Sequence, residues 1–125
     1  MTIIETLRQD YAKFPDDQSY HIYAENVYFQ DPITRFRGIN RYQRMISSIK
    51  TWFRSPQLEL HHLDRVDNLI TTRWTLSWVT PLPWRPQIKI TGRSELLLNE
   101  NDLIISHIDY WDCSPWNVLQ QHFHN

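Results

Sequence analysis

The chain has 125 residues, with 13 basic and 14 acidic side chains and a net charge of −1. That length suits one domain with a core of its own, so residues 1–125 are expected to form a single domain, and the balanced charge excludes the basic footprint of a nucleic-acid binder. No apolar run approaches the ~20 residues of a membrane span. The N-terminus Met1-Thr2-Ile3-Ile4-Glu5 lacks the basic-then-apolar order of a signal peptide.

A single cysteine, Cys113, excludes an intrachain disulfide and gives no sign of an oxidising compartment. A cytoplasmic location is therefore expected. Six Trp and six Tyr accompany only two Gly. Such rings want one apolar and one polar neighbour, so this many in a short chain suggest a pocket, an interface or a core of large side chains.

Thr2 and Glu5 have the spacing of a capping box. Ile4, Leu7, Tyr11 and Phe14 then recur at helical spacing until Pro15. Asp16-Asp17 can cap a second, shorter helix carrying Tyr20, Tyr23 and Ala24. Val27 to Asp31 reads as the first strand, with Val27, Phe29 and Asp31 on one face and Tyr28 and Gln30 on the other. Pro32 holds Asp31 extended. Ile33 to Arg37 reads as a loop, and Gly38 opens the most periodic segment. Ile39, Tyr42, Ile46, Ile49 and Phe53 form one apolar stripe there, with Arg41, Arg44 and Lys50 off it. Pro56 closes the helical region.

Beyond Pro56 the period changes from 3.6 to 2. Leu58, Leu60 and His62 alternate with polar residues, and Asp67-Asn68 signals a turn. Ile70, Thr72, Trp74, Leu76 and Trp78 mark the clearest strand. Pro81 to Pro86 is a stiff loop. Ile88 to Leu98 is a long strand in which Gly92 predicts a bulge or sharp bend. Asn99 to Asp102 turns the chain into a last strand over 103–112. Ser114-Pro115 starts a closing helix bearing Trp116, Leu119 and Phe123. The order predicts an α+β fold: a strongly curved, mainly antiparallel sheet wrapped around a long helix, with helices at both ends of the chain.

This order, with the stretches YAENVYFQDP, FRG ahead of a helix ending in IKTWF, and LLLNENDLIISH, resembles the cone-shaped fold of nuclear transport factor 2-like proteins. Ketosteroid isomerase, scytalone dehydratase and limonene epoxide hydrolase share it. TRWTLSW, ITGRSELLLNEND and HIDYWDCSPW are similar to an uncharacterised family of that superfamily from cyanobacteria and plant plastids. Some of its plant members are fused to a haem-binding domain, which implies apolar or tetrapyrrole ligands. The fold hosts many chemistries and many non-enzymes.

The resemblance puts Asp31 at the position of ketosteroid isomerase's general base. The second acid of that enzyme is replaced here by Ser94, and Tyr11 lies at a different spacing from Asp31. Arg93 and Asp109 fall on opposite faces, so the Asp-Arg-Asp set of limonene epoxide hydrolase is not evident. Matched to the family, the last strand turns His107, Asp109 and Trp111 into the cone and Ile104, Ile108 and Tyr110 outward. The alternation alone supports the reverse facing equally, since the second set is the more apolar.

With the family's facing, Asp31, His107 and Asp109 could converge among Trp74 and Trp78 and serve acid–base chemistry near neutral pH. The alternative is a hydrogen-bonded network that simply lines a cavity. Tyr11, Phe29, Trp74, Trp78, Ser94 and Trp111 are the candidate ligand contacts. No metal or other cofactor is called for. His61 and His62 point to opposite strand faces, His122 and His124 lie near the terminus, and no zinc spacing exists. Three functions fit: a pocket for a small apolar or aromatic ligand, a cofactor-free isomerase, lyase or hydrolase using Asp31 with His107 or Asp109, and a homodimeric interaction module. A homodimer is expected through the outer face of the long strands.

Overall fold

The computed structural model describes residues 1–123; His124 lies outside them. Thr2 and Glu5 form the reciprocal capping box, and helix α1 runs Ile3–Lys13. Leu7, Asp10 and Tyr11 fall on one face of it by the 3–4 spacing, and all three turn toward the sheet. The second helix expected over Tyr20–Ala24 is a single 3₁₀ turn, Tyr20–Ile22. Strand β1 takes over at Tyr23 and continues to Gln30. Tyr23 pairs with Ile104 and its hydroxyl meets that of Tyr42, so tertiary partners override local helix preference.

The segment read as a loop contains a short strand β2, Arg35–Arg37, paired antiparallel with β1. Gly38 follows at φ +115°, a conformation that glycine tolerates best, and its N–H bonds the Val27 carbonyl. That bond ties the start of helix α2, Ile39–Trp52, to β1. Tyr42 and Ile46 of the expected stripe are buried, and Ile39, Ile49 and Phe53 are half-buried beside them.

Strands β3 (Arg54–Val66), β4 (Leu69–Val79), β5 (Gln87–Leu98) and β6 (Ile104–Trp111) form the expected meander. Pro56 thus lies inside β3 rather than at the end of a helix. Among the described residues the six-stranded order is β2-β1-β6-β5-β4-β3, with β1–β6 paired in parallel and the other pairs antiparallel. Helices α1 and α2 pack on the sheet, against β3 and β1. This is a mixed α+β cone with a curved sheet.

Two sequence expectations about β5 and β6 change. Gly92 sits in an unbroken register, Trp74↔Gly92↔Trp111, and makes no bulge. Its role is close approach: a Cβ there would collide with the Tyr110 carbonyl oxygen and stand 3.0 Å from the Trp74 ring. The irregularity lies instead where Leu97 faces Ser106 but Leu98 faces Ile104. The extra residue, Ile105, reverses the alternation, so Ile104 points inward and is fully buried. Ile108 and Tyr110 keep the outward facing, where the Arg93 guanidinium lies 4.1 Å from the Tyr110 ring centre.

One end of the concave face is filled. Leu7, Ile22, Val27, Ile70, Leu96, Leu98 and Ile104 form a closed cluster there. Each such side chain contributes about 1.5–3 kcal/mol by burial. Helix α3, Pro115–Gln121, is capped by Ser114 as expected. Its Trp116 and Leu119, and Phe123 just beyond it, are exposed, however, and Val118 supplies the inward contact.

Candidate functional site

The other end of the concave face is open. Between α1, α2 and the sheet lies a cavity of about 390 Å³. The structure places all nine residues read from the sequence on its wall: Tyr11, Phe29, Asp31, Trp74, Trp78, Ser94, His107, Asp109 and Trp111. Strand alternation accounts for this, because inner positions of β4, β5 and β6 line up in rows across the sheet. Thr72, Ser94 and Asp109 make one row, and Trp74, Gly92 and Trp111 make the next.

The first row is polar and its members are hydrogen-bonded, Ser94 and Asp109 to each other and Thr72 to Tyr11. Ser94 Oγ donates to Asp109 Oδ1 at 2.5 Å, and Trp74 Nε1 donates to Ser94 Oγ at 2.8 Å. Gly92 leaves the space that the edge of that indole takes up beside β5. His107 Nε2 is 2.7 Å from the same Asp109 Oδ1. Tyr11 Oη and Thr72 Oγ1 are 2.9 Å apart. No hydrogen bond to Asp109 Oδ2 occurs among the described residues, and that oxygen is not sealed from the cavity. It is the free acceptor of the site.

His107 is itself buried between Tyr23, Phe29 and Tyr42, with ring centres 5.1–6.4 Å away. With Nε2–H donating to Asp109, Nδ1 is a buried atom without a partner. A bare lone pair there costs less than an N–H lacking an acceptor, which fixes the tautomer.

Burial pushes the Tyr11 hydroxyl up to about 12, with the Asp109 charge adding and the bonds to Thr72 and Ser94 opposing. Burial also raises Tyr23 and Tyr42, whose hydroxyls are 3.2 Å apart. All three therefore stay phenolic near neutral pH.

Asp31 occupies a different position. Its Oδ1 accepts from the backbone N–H groups of Ile33, at 2.9 Å, and Thr34, at 2.7 Å, which closes the turn before β2. It is half-buried, and desolvation raises its pKa against the pull of those two N–H groups. Hydrogen bonds join His107 and Asp109, while those of Asp31 go to its own turn.

Sequence reasoning missed Tyr23, Tyr42 and Asp10 as wall residues, and Thr72 as the partner of the Tyr11 hydroxyl behind the wall. Two signals existed. Thr72 shares the inner alternation of Trp74 and Trp78, and Asp10 follows Leu7 by three on the inner helix face. Asp10 is committed to structure, since its carboxylate accepts from Ser19 N and Oγ. Among the described residues no three His, Cys, Asp or Glu side chains gather as a metal site requires. His61 and His62 are both exposed, and His61 bonds Thr75. His122 bonds Thr80 and the Val118 carbonyl. No helix among the described residues is long and apolar enough to cross a membrane.

Residues 1–107 match the model of a family described as uncharacterized conserved protein, DUF2358. The chain belongs to this family. No curated protein matches the sequence. Solved structures fix the fold of this DUF2358 member as NTF2-like. A hypothetical protein with a ketosteroid isomerase-like fold from Catenulispora acidiphila, in complex with trimethylamine, has a TM-score of 0.77 at 13% identity, covering 98% of this chain and 93% of that one. An NTF2-like protein of unknown function from Exiguobacterium gives 0.73 at 12% identity, covering 90% and 100%. An epoxide hydrolase of LEH-like type from M. tuberculosis gives 0.72 at 11% identity, covering 96% and 86%.

Proposed function

We propose that this chain binds a small, mostly apolar molecule inside the cone, oriented at one polar spot by Asp109. The observation that carries the reading is the cavity of about 390 Å³, walled by aromatic and aliphatic side chains around the hydrogen-bonded group Trp74–Ser94–Asp109–His107. That composition, apolar with few placed polar groups, is the common form of a ligand site. Nile red, a neutral apolar dye, should bind saturably at one site per chain. The variant Ile46→Trp, which adds volume from the α2 wall, should lose that binding while keeping a cooperative melt. Equal dye binding by both proteins would overturn the reading.

The second reading is acid–base catalysis by the same group. Its support is that Asp109 is held by two donors on one oxygen and keeps Oδ2 free. A base so oriented could take a proton beside a carbonyl or from a water molecule, with Tyr11 as a phenolic donor. Asp31 at the mouth would then act on entry rather than on chemistry.

A homodimer through the outer sheet face is also proposed. Ile108, Tyr110 and the exposed Leu97 supply its apolar patch, among Thr71, Thr75 and Thr91. Sedimentation at micromolar concentration should give twice the chain mass, and a monomer would refute it.

A further inference from the structure

We propose that the cavity is charge-selective, taking an organic cation such as a tertiary or quaternary amine in preference to a neutral molecule and rejecting an anion. This rests on the ligand-binding reading and names the ligand class. The charged inventory of the wall is one-sided. Asp10, Asp31 and Asp109 contribute carboxylates, and no lysine or arginine lines the cavity among the described residues. The basic side chains of the neighbouring strands point outward: Arg73 pairs with Asp112, and Arg93 stacks on Tyr110. His107 is the one side chain of the wall that could carry positive charge. A proton on its Nδ1 would be a buried donor with no acceptor.

The aromatic surroundings act in the same direction. Trp111 lies two residues from Asp109 on the same face of β6, and Trp74 reaches the carboxylate through Ser94. Tyr11 stands over the same row on α1. The faces of such rings attract a cation, and desolvation strengthens that attraction. The charge of Asp109 is felt at the hydroxyls of Tyr11, Tyr23 and Tyr42, each of which it makes harder to ionise. An incoming anion would meet the same field. An incoming ammonium group would find one unoccupied carboxylate oxygen and a wall of rings.

Three molecules of one shape separate charge from fit: benzyltrimethylammonium, neopentylbenzene and phenylmethanesulfonate. Affinities would be measured calorimetrically at pH 7 and low salt on the intact chain. The cation should bind at least ~10-fold more tightly than the neutral molecule, as expected for a cation–π contact beside a desolvated carboxylate. The sulfonate should not bind measurably. Asp109→Asn should bring the cation and neutral affinities within about threefold of each other. Asp31→Asn, at the mouth, should lower the preference in part and serves if Asp109→Asn does not fold. Neutral binding without a cation preference, or sulfonate binding equal to the cation, would overturn the charge inference and leave the ligand site standing. Failure of all three molecules to bind would remove both.

Discussion

The two ends of the concave face use the same strands and differ by two residues along β4 and β5. At the filled end, Ile70 of β4, Leu96 of β5 and Ile104 of β6 are fully buried against Leu7 and Val27. Two positions further along, β4 offers Thr72 and β5 offers Ser94; on β6, His107 lies opposite Leu96 and Asp109 opposite Ser94. A single row changes from aliphatic to polar, and the space above it changes from packed to open. The difference teaches that the cavity is not a failure of packing. Its floor carries a hydrogen-bond network whose members would be costly to bury unpaired, and among the described residues each buried side-chain polar atom finds a partner except His107 Nδ1, while Asp109 Oδ2 is left open to the cavity.

The comparison can be broken by truncating each end. Leu96→Ala at the filled end should cost about 3–5 kcal/mol, because it opens a void among packed neighbours. Ile46→Ala, which borders an existing cavity, should fall nearer 2 kcal/mol, since fewer contacts are lost. Urea melts of both variants check this, and equal losses would mean that the two ends are packed alike.

Gly92→Ala tests the row beside the polar floor. The methyl group would press on the Tyr110 carbonyl and the Trp74 ring, so a loss of about 1–3 kcal/mol is expected from overpacking. Near-ultraviolet circular dichroism should change as the indole leaves its place. Unchanged stability and spectrum would show that the close approach is not limiting.

Ser94→Ala sharpens the same point. It leaves the buried Trp74 N–H without an acceptor and Asp109 without one donor, at about 1–3 kcal/mol. A thermal melt equal to that of the parent would show that water replaces the hydroxyl.

The smallest effect belongs to Asp31. Desolvation raises its folded pKa above the unfolded value, so the folded state binds the proton more tightly. At a pH below the unfolded value, near 4, both states are protonated and no penalty exists. The penalty grows as pH rises from there through the folded pKa and is complete above it. Asp31→Asn keeps an oxygen for the Ile33 and Thr34 N–H groups, so it should match the parent at pH 3 and be slightly more stable at pH 7. Destabilisation at pH 7 would mean that the charge itself anchors the turn.

Much of this was legible in the residues. The change of period after Pro56 gave the meander, and the β4 alternation placed Trp74 and Trp78 inside. The facing of β6 was not legible, because both of its alternating sets carry large rings and aliphatics. One bulge at Ile105 makes the matter worse, since it lets Ile104 and His107 share a face that strict alternation would deny them. Tyr23 and Ala24 read as helix because their strand partner lies some eighty residues away. The link between Asp109 and Ser94 also needed register, as nothing local in either strand announces the other.

The six tryptophans give the most direct test of the central claim, that the open end is a ligand site. Trp74, Trp78 and Trp111 line the cavity, while Trp52, Trp84 and Trp116 are exposed outside it. Each indole N–H gives its own signal in a ¹⁵N–¹H correlation spectrum, assignable by Trp→Phe variants. During titration with neopentylbenzene, the account predicts that the three cavity indoles shift together and saturate while the three outer ones stay in place. Shifts confined to Trp52, Trp84 and Trp116, with Trp74 unmoved, would contradict it.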